Sequence, residues 1–173
     1  MKTLAQQMAV YSAYHRDPRN RLTHFVGVPA IIFAVLIPMG WLRFSVAEFE
    51  ISLAMVFVVV VLVYYFLLDA VLAVALTVVI ALVLWSTEAI ATKLTIAQGA
   101  VIFVAVFIGG WMFQLIGHLF EGRRPALVDN FWQIFVAPVF LMAELFFAAG
   151  YKQEVKRKLE ELPGDGSETI PPG

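Results

Sequence analysis

The sequence predicts an all-α integral membrane protein: a bundle of four transmembrane helices, an amino-terminal interfacial helix, and a re-entrant or fifth carboxy-terminal helix. Composition is the first reason. Of 173 residues, 61% are hydrophobic and only 14% charged, with a mean hydropathy of +0.85. A soluble domain of this length would expose too apolar a surface to stay dispersed, so the bilayer is the solvent. The second reason is layout. The apolar residues form long runs, and the polar ones gather in two knots, Tyr11–Pro29 and Gly117–Ala126, which together hold all three histidines.

Residues 3 to 15 read as an amphipathic helix at the interface, because Leu4, Met8, Tyr11 and His15 recur on one helical face. Asp17-Pro18 ends it, since proline disfavours helical geometry in the residue before it. The first span runs from about His24 to Leu42, with Pro29 and Pro38 tolerated where neighbouring helices satisfy the freed carbonyls. Residues 51 to 85 are one apolar run broken only by Asp69. As a single helix this run would extend roughly 52 Å at 1.5 Å per residue, too long for one crossing, so a hairpin of two short spans turning near Tyr64–Ala70 is expected. Trp85-Ser86-Thr87-Glu88 and Lys93 make the next polar break. The fourth span covers about Ile96–Gly117, where Gly110, Gln114 and His118 stack on one face suited to helix packing. Residues 131 to 150 are apolar again, with Pro138 and Glu144. One membrane domain, residues 1–150, is followed by a solvated helix and a disordered tail over 151–173.

Parity then places the two knots together. After four crossings the second knot returns to the side of the first, and the Asp69 turn lies there too. Arg16, Arg19, Arg21, Arg123 and Arg124 collect on this side, against mainly Arg43 and Lys93 opposite. By the positive-inside rule this is the cytoplasmic face. A further crossing by 131–150 would put the basic tail outside, so a re-entrant or interfacial hairpin is favoured there. The amino-terminal segment lacks the unbroken apolar core of a signal peptide. The unprocessed start and short loops point to a bacterial inner membrane, or to the endoplasmic reticulum if the source is eukaryotic.

Several functions are excluded. A net charge of -1 gives no argument for nucleic acid, and the absence of cysteine removes disulfides, thiolate metal sites and cysteine nucleophiles. There is no phosphate-binding loop, dinucleotide fingerprint or nucleophile elbow. The His-x-x-His-His boxes of membrane desaturases are missing as well. What remains is the histidines. His15, His24 and His118 are expected on one face of the bundle, and three neutral imidazoles leave open positions on a divalent first-row metal. Glu121, one turn beyond His118, can complete the set or support it from behind. Asp69, Asn20 and Gln114 can orient imidazoles through their other ring nitrogens. The competing readings are interfacial histidines of a non-catalytic scaffold or lipid-binding protein, and a bis-histidine haem protein.

At Tyr11, His15, Asn20, His24, Gly27 and Pro29, and again at Gln114, Gly117, His118, Glu121, Arg124, Pro125 and Ala126, the sequence resembles the Mpo1-like family, the membrane family of the yeast 2-hydroxy fatty acid dioxygenase. The resemblance covers about residues 5 to 150. It implies an Fe(2+)-dependent oxygenase that shortens 2-hydroxy fatty acids by one carbon in α-oxidation. On that model the partners are a 2-hydroxy fatty acid, O2 and the lipid bilayer, and homo-oligomerisation stays open. His15, His24 and His118 would hold iron, with Glu121 and Asp69 tuning the site. Arg16, Arg19 or Arg124 would offer charge to the substrate carboxylate, and the apolar interior would receive the acyl chain.

Overall fold

A computed structural model describes residues 3–13, 15, 17–122 and 132–162, with only the backbone of Val10 and Ala13. Arg16, Arg123, Arg124, Pro125 and Ala126, and the tail expected to be disordered, lie outside the described residues. In order the elements are α1 (Leu4–Ala13), α2 (Pro18–Trp41), β1 (Arg43–Val46), β2 (Phe49–Ser52), α3 (Leu53–Leu68), α4 (Ala70–Lys93), α5 (Ile96–Glu121), α6 (Gln133–Ala148) and α7 (Gln153–Glu161).

Among the described residues three helices, α2, α4 and α5, are long and apolar enough to cross a membrane. The fourth expected span, α3, is apolar but has only 16 residues, about 24 Å of helix. The turn between α3 and α4 falls at Asp69, as read from the sequence. Asp69 caps α4 by accepting from the backbone N–H groups of Val71 and Leu72, each at 3.0 Å.

The chain departs from expectation in three places. Helix α2 starts at Pro18, well before His24, because Asp17 is its N-cap and accepts from the Arg19 amide at 2.8 Å. Proline at the first helical position loses nothing, its missing N–H being an orphan there anyway. The polar stretch at Trp85–Glu88 does not break α4, which runs on to Lys93. Its hydroxyls turn back onto the helix: Ser86 donates to Leu82 O at 2.8 Å and Thr87 to Leu84 O at 3.0 Å. Finally, the fold is not purely α. An antiparallel hairpin pairs Arg43 with Ser52 and Val46 with Phe49, placing Phe44, Val46, Phe49 and Ile51 on one face and Arg43, Ser45, Glu50 and Ser52 on the other.

Helix α2 is the central post. It runs antiparallel to α5, and glycines set how closely they approach. A Cβ on Gly27 would lie 2.9 Å from the Gly110 carbonyl oxygen, and one on Gly110 would lie 2.8 Å from Ile31 Cγ1. The small-residue face read on α5 is therefore its buried face, comprising Gly99, Gly110, Gln114, Gly117 and His118. At the opposite end, Arg43 bonds Glu88 at 2.9 Å and the Ser52 hydroxyl donates to the same carboxylate. At the histidine end, Arg21 of α2 pairs with Glu144 of α6 at 2.8 Å, and Lys152 pairs with Asp69 at 2.6 Å. These pairs put the carboxy-terminal end of α6 at the same end of the bundle as that of α5. Helix α6 and helix α7 meet at 118°, as in a broken span or a re-entrant loop. Helix α1 docks its Leu4–Met8–Tyr11 face inward. Helix α7 is helical where the tail helix was expected, but one face is covered, with Leu159 buried in the core.

Candidate metal centre

Three elements each deliver one imidazole. His15 follows α1, His24 lies two turns into α2, and His118 lies on the last turn of α5. All three are buried, at 2%, 3% and 6% exposure. One ligand nitrogen from each lies within 4.8 Å of the others, and among the described residues this is the group of such side chains placed to hold a metal ion. The ring centroids are 4.4 Å apart for His15 and His24, and 5.1 Å for each of these with His118.

The hydrogen bonds fix which nitrogens face inward. His15 Nδ1 lies 2.8 Å from Tyr11 O, and His24 Nδ1 lies 2.8 Å from Asn20 O. A carbonyl only accepts, so both Nδ1 atoms carry the proton, and each neutral ring keeps a lone pair on Nε2. Those two Nε2 atoms face each other at 3.0 Å. Two lone pairs at that distance repel unless something positive lies between them, a shared proton or a cation. Burial, with the neighbouring His24 imidazole, pulls His15 down to about 3, so the proton is disfavoured and a metal ion fits the donors. Among the described residues the buried Nδ1 of His118 has no hydrogen-bond partner, a state that costs about 1–3 kcal/mol if left so.

The surroundings hold the rings in place. Tyr11 stacks flat on His15, with centroids 4.0 Å apart and planes 6° off parallel. Burial keeps the Tyr11 phenol above its ordinary value, so it stays neutral against the ring. Glu121 does not join the imidazole group. Its Oε2 accepts from the Asp17 amide at 2.9 Å and from Asn20 Nδ2 at 3.1 Å. Asn20, fully buried, does orient His24, but through its main-chain carbonyl and not its side chain. Glu121 thus locks the start of α2 to the end of α5 and supports His24 at one remove.

Asp69 belongs elsewhere. It shares this end of the bundle, but its carboxylate is spent on the α4 cap and on Lys152. Burial alone would raise its pKa, yet bonding from Lys152 and the Val71 and Leu72 amides holds it below the ordinary carboxylate value. Arg19 is turned to Asp17, 2.9 Å away, and lies over the Phe120 ring. Arg124 falls outside the described residues.

The three imidazoles close one end of a cavity of about 320 Å³ that continues into the bundle between α2, α3, α4, α5 and α6. That volume lies within the usual range of small-molecule sites, about 300–1,000 Å³. Apart from Tyr11, Tyr65, Gln114 and Gln133, the rest of the lining is apolar. Gln133 was missed by the sequence reading. It is 7% exposed, and among the described residues its Oε1 has no hydrogen-bond partner. The available signal was a lone glutamine in an apolar run, which marks a polar group turned toward a cavity and away from lipid.

The fold and the site together define a helical protein with helices of membrane-spanning length and a buried three-histidine cluster at one end of an apolar cavity. Residues 1–149 match the model of the family described as 2-hydroxy-palmitic acid dioxygenase Mpo1-like, and the chain belongs to that family. It is 36% identical over 162 residues to the 2-hydroxy-palmitic acid dioxygenase MPO1 of Saccharomyces cerevisiae, covering 91% of this chain and 87% of the yeast protein. No solved structure matches.

Proposed function

We propose that the protein is an Fe(2+)-dependent dioxygenase that converts a 2-hydroxy fatty acid and O2 into the one-carbon-shorter acid, CO2 and water. The observation that carries this is the convergence of three neutral, buried imidazoles at one end of an apolar cavity, in a chain whose yeast relative is named for a substrate of that class. The reaction balances without an external reductant, so no nicotinamide or 2-oxoacid site is required. His15, His24 and His118 would hold the iron, which when bound supplies the one-electron chemistry that dioxygen needs to react with a closed-shell acid. The chain's own residues do the rest. The Tyr11 and Asn20 carbonyls keep the Nδ1 protons of His15 and His24 and so leave Nε2 free as donors. The apolar wall takes the acyl chain and excludes water, and Gln114, one turn before His118 on α5, offers a hydrogen bond to the polar head. By the positive-inside rule the site faces the cytoplasm, where an amphiphilic acid can present its head while its chain stays in an apolar medium.

The geometry counts against a bis-histidine haem. Rings with centroids 4.4–5.1 Å apart and Nε2 atoms 3.0 Å apart leave no slot for a macrocycle between them. The test is anaerobic Fe(2+) reconstitution followed by oxygen and 2-hydroxypalmitate. The expected result is iron bound without a Soret band and formation of the fifteen-carbon acid. Protein that stays metal-free and consumes no hydroxy acid would overturn the proposal.

A further inference from the structure

The sequence offers Arg16, Arg19 or Arg124 to a substrate carboxylate, and of these only Arg19 lies among the described residues. Its guanidinium is taken, because Nε and Nη2 together grip the Asp17 carboxylate at 3.2 and 2.9 Å. Arg21 is held differently. It donates to Glu144 through one nitrogen, Nη1, at 2.8 Å. Among the described residues its guanidinium makes that bond alone, which leaves most of the five N–H donors of a guanidinium for a second acceptor.

This ion pair forms the layer next to the imidazoles. Arg21 is three residues before His24 on α2, a spacing that makes them neighbours on one helix face. Glu144 is four residues after Phe140 on α6, again on one face. The Phe140 ring lies 6.3 Å from that of His15 and 4.8 Å from that of Tyr11. On both helices the pair is therefore about one turn, roughly 5 Å, further toward the polar end than the imidazole layer. Both side chains are partly buried, at 34% and 21% exposure. Burial does most to lower the His15 pKa, and the Arg21 charge adds to it, so the guanidinium is felt inside the site.

This order of layers matches the order of atoms in a 2-hydroxy acid. With the acyl chain in the apolar cavity, C2 and its hydroxyl come level with the imidazoles. The carboxylate, at C1, is then the outermost group and meets the guanidinium.

We propose that Arg21 is the residue that binds the substrate carboxylate, and that Glu144, which holds the guanidinium in place, competes with the acid for it. This rests on the fatty-acid reading above but on neither iron nor turnover. A charge-assisted hydrogen bond is about twice as strong as a neutral one, so the acid is held by its charge as well as by its chain.

The test is calorimetric titration of the full-length, metal-free protein in detergent with 2-hydroxypalmitate and with hexadecane-1,2-diol. The diol keeps the chain and the C2 hydroxyl but has no carboxylate. Wild type should bind the acid about tenfold or more tightly than the diol. Arg21→Gln should weaken the acid by about tenfold or more, to the level of the diol, and leave the diol within about twofold. Arg21→Lys should recover part of the loss, since lysine keeps the charge without the fork. Glu144→Gln should bind the acid as tightly as wild type or more tightly, because the competing carboxylate is gone. A purely structural pair cannot give opposite responses from its two halves. Glu144→Gln that weakens the acid as much as Arg21→Gln does would therefore overturn the proposal. So would a wild type that binds acid and diol alike, or an Arg21→Gln that keeps its helix content but loses both ligands equally. Where Arg21→Gln does not fold, Arg21→Lys and Glu144→Gln carry the test. A wild type that binds neither ligand would overturn the fatty-acid reading itself, whereas acid binding indifferent to Arg21 would overturn this assignment alone.

Discussion

His15 and His24 point their Nε2 atoms at each other across 3.0 Å, each ring steered by a hydrogen bond to the carbonyl four residues earlier. The same local device is used twice, once at the end of α1 and once inside α2. It sets the tautomer before any ligand arrives. The helices bring the two rings together, and the backbone decides which nitrogen each presents.

If these nitrogens are metal donors, His24→Ala and His118→Ala should each abolish stoichiometric iron binding while helix content and membrane insertion stay as in wild type. Metal analysis and circular dichroism of the purified variants check this. Full iron and turnover in both variants would show that the site is wrong.

Glu121 acts through Asn20, so its removal should weaken the centre without dismantling it. Glu121→Ala should lower metal affinity by about 10–100-fold, the usual penalty for losing a group that orients a ligand. Glu121→Gln, which keeps an acceptor for the Asp17 amide, should lose less. Chelator competition gives both numbers, and equal affinity in all three proteins would rule out this role.

Gly27→Ala should be among the most damaging small changes in the chain. The new methyl would sit 2.9 Å from the Gly110 carbonyl oxygen, a backbone atom that cannot swing aside, so α2 and α5 must separate. Overpacking of this kind costs about 1–3 kcal/mol and should also spread His24 from His118. The expected readout is a lower thermal midpoint together with weaker metal binding. Gly109→Ala, which meets nothing within 4 Å, is the control.

The Asp69–Lys152 pair should make the docking of α7 depend on acid. The Asp69 pKa in the folded chain is below its ordinary value, so the unfolded state binds the proton more readily. The pair's stabilisation is then complete above the ordinary value of about 3.9 and is lost as pH falls through the lower folded value. Amide exchange in α7 should rise in that acid window in wild type, whereas Asp69→Asn should show the raised exchange at neutral pH with metal binding unchanged. Loss of iron in Asp69→Asn would instead return Asp69 to the centre.

Much of this was legible in the sequence because its signals are local. Long apolar runs imply spans, Asp69 in a run too long for one crossing implies a turn, and Leu4, Met8, Tyr11 and His15 at helical spacing imply one buried face. Parity needed only the count of turns to bring three histidines to one end. The local signals misled where a polar cluster had a partner that distance along the chain hides. Trp85–Glu88 looked like a loop, but its hydroxyls bond their own helix and Glu88 meets Arg43 and Ser52. The hairpin at Arg43–Ser52 was hidden for a related reason: ten residues between two spans carry too short an alternation to announce strands.

The sequence by itself determined the apolar helices of membrane-spanning length, the helical class, the position of the Asp69 turn and the three imidazoles, because hydropathy and periodicity act over one or two helical turns. Only the tertiary structure decided what the carboxylates do, since a charged group is claimed by whichever partner lies within about 3 Å. It assigned Asp69 to Lys152 and the α4 cap, and Glu121 to Asp17 and Asn20. It also decided that an apolar cavity runs into the bundle from the three imidazoles, because a cavity exists only where side chains from several helices meet.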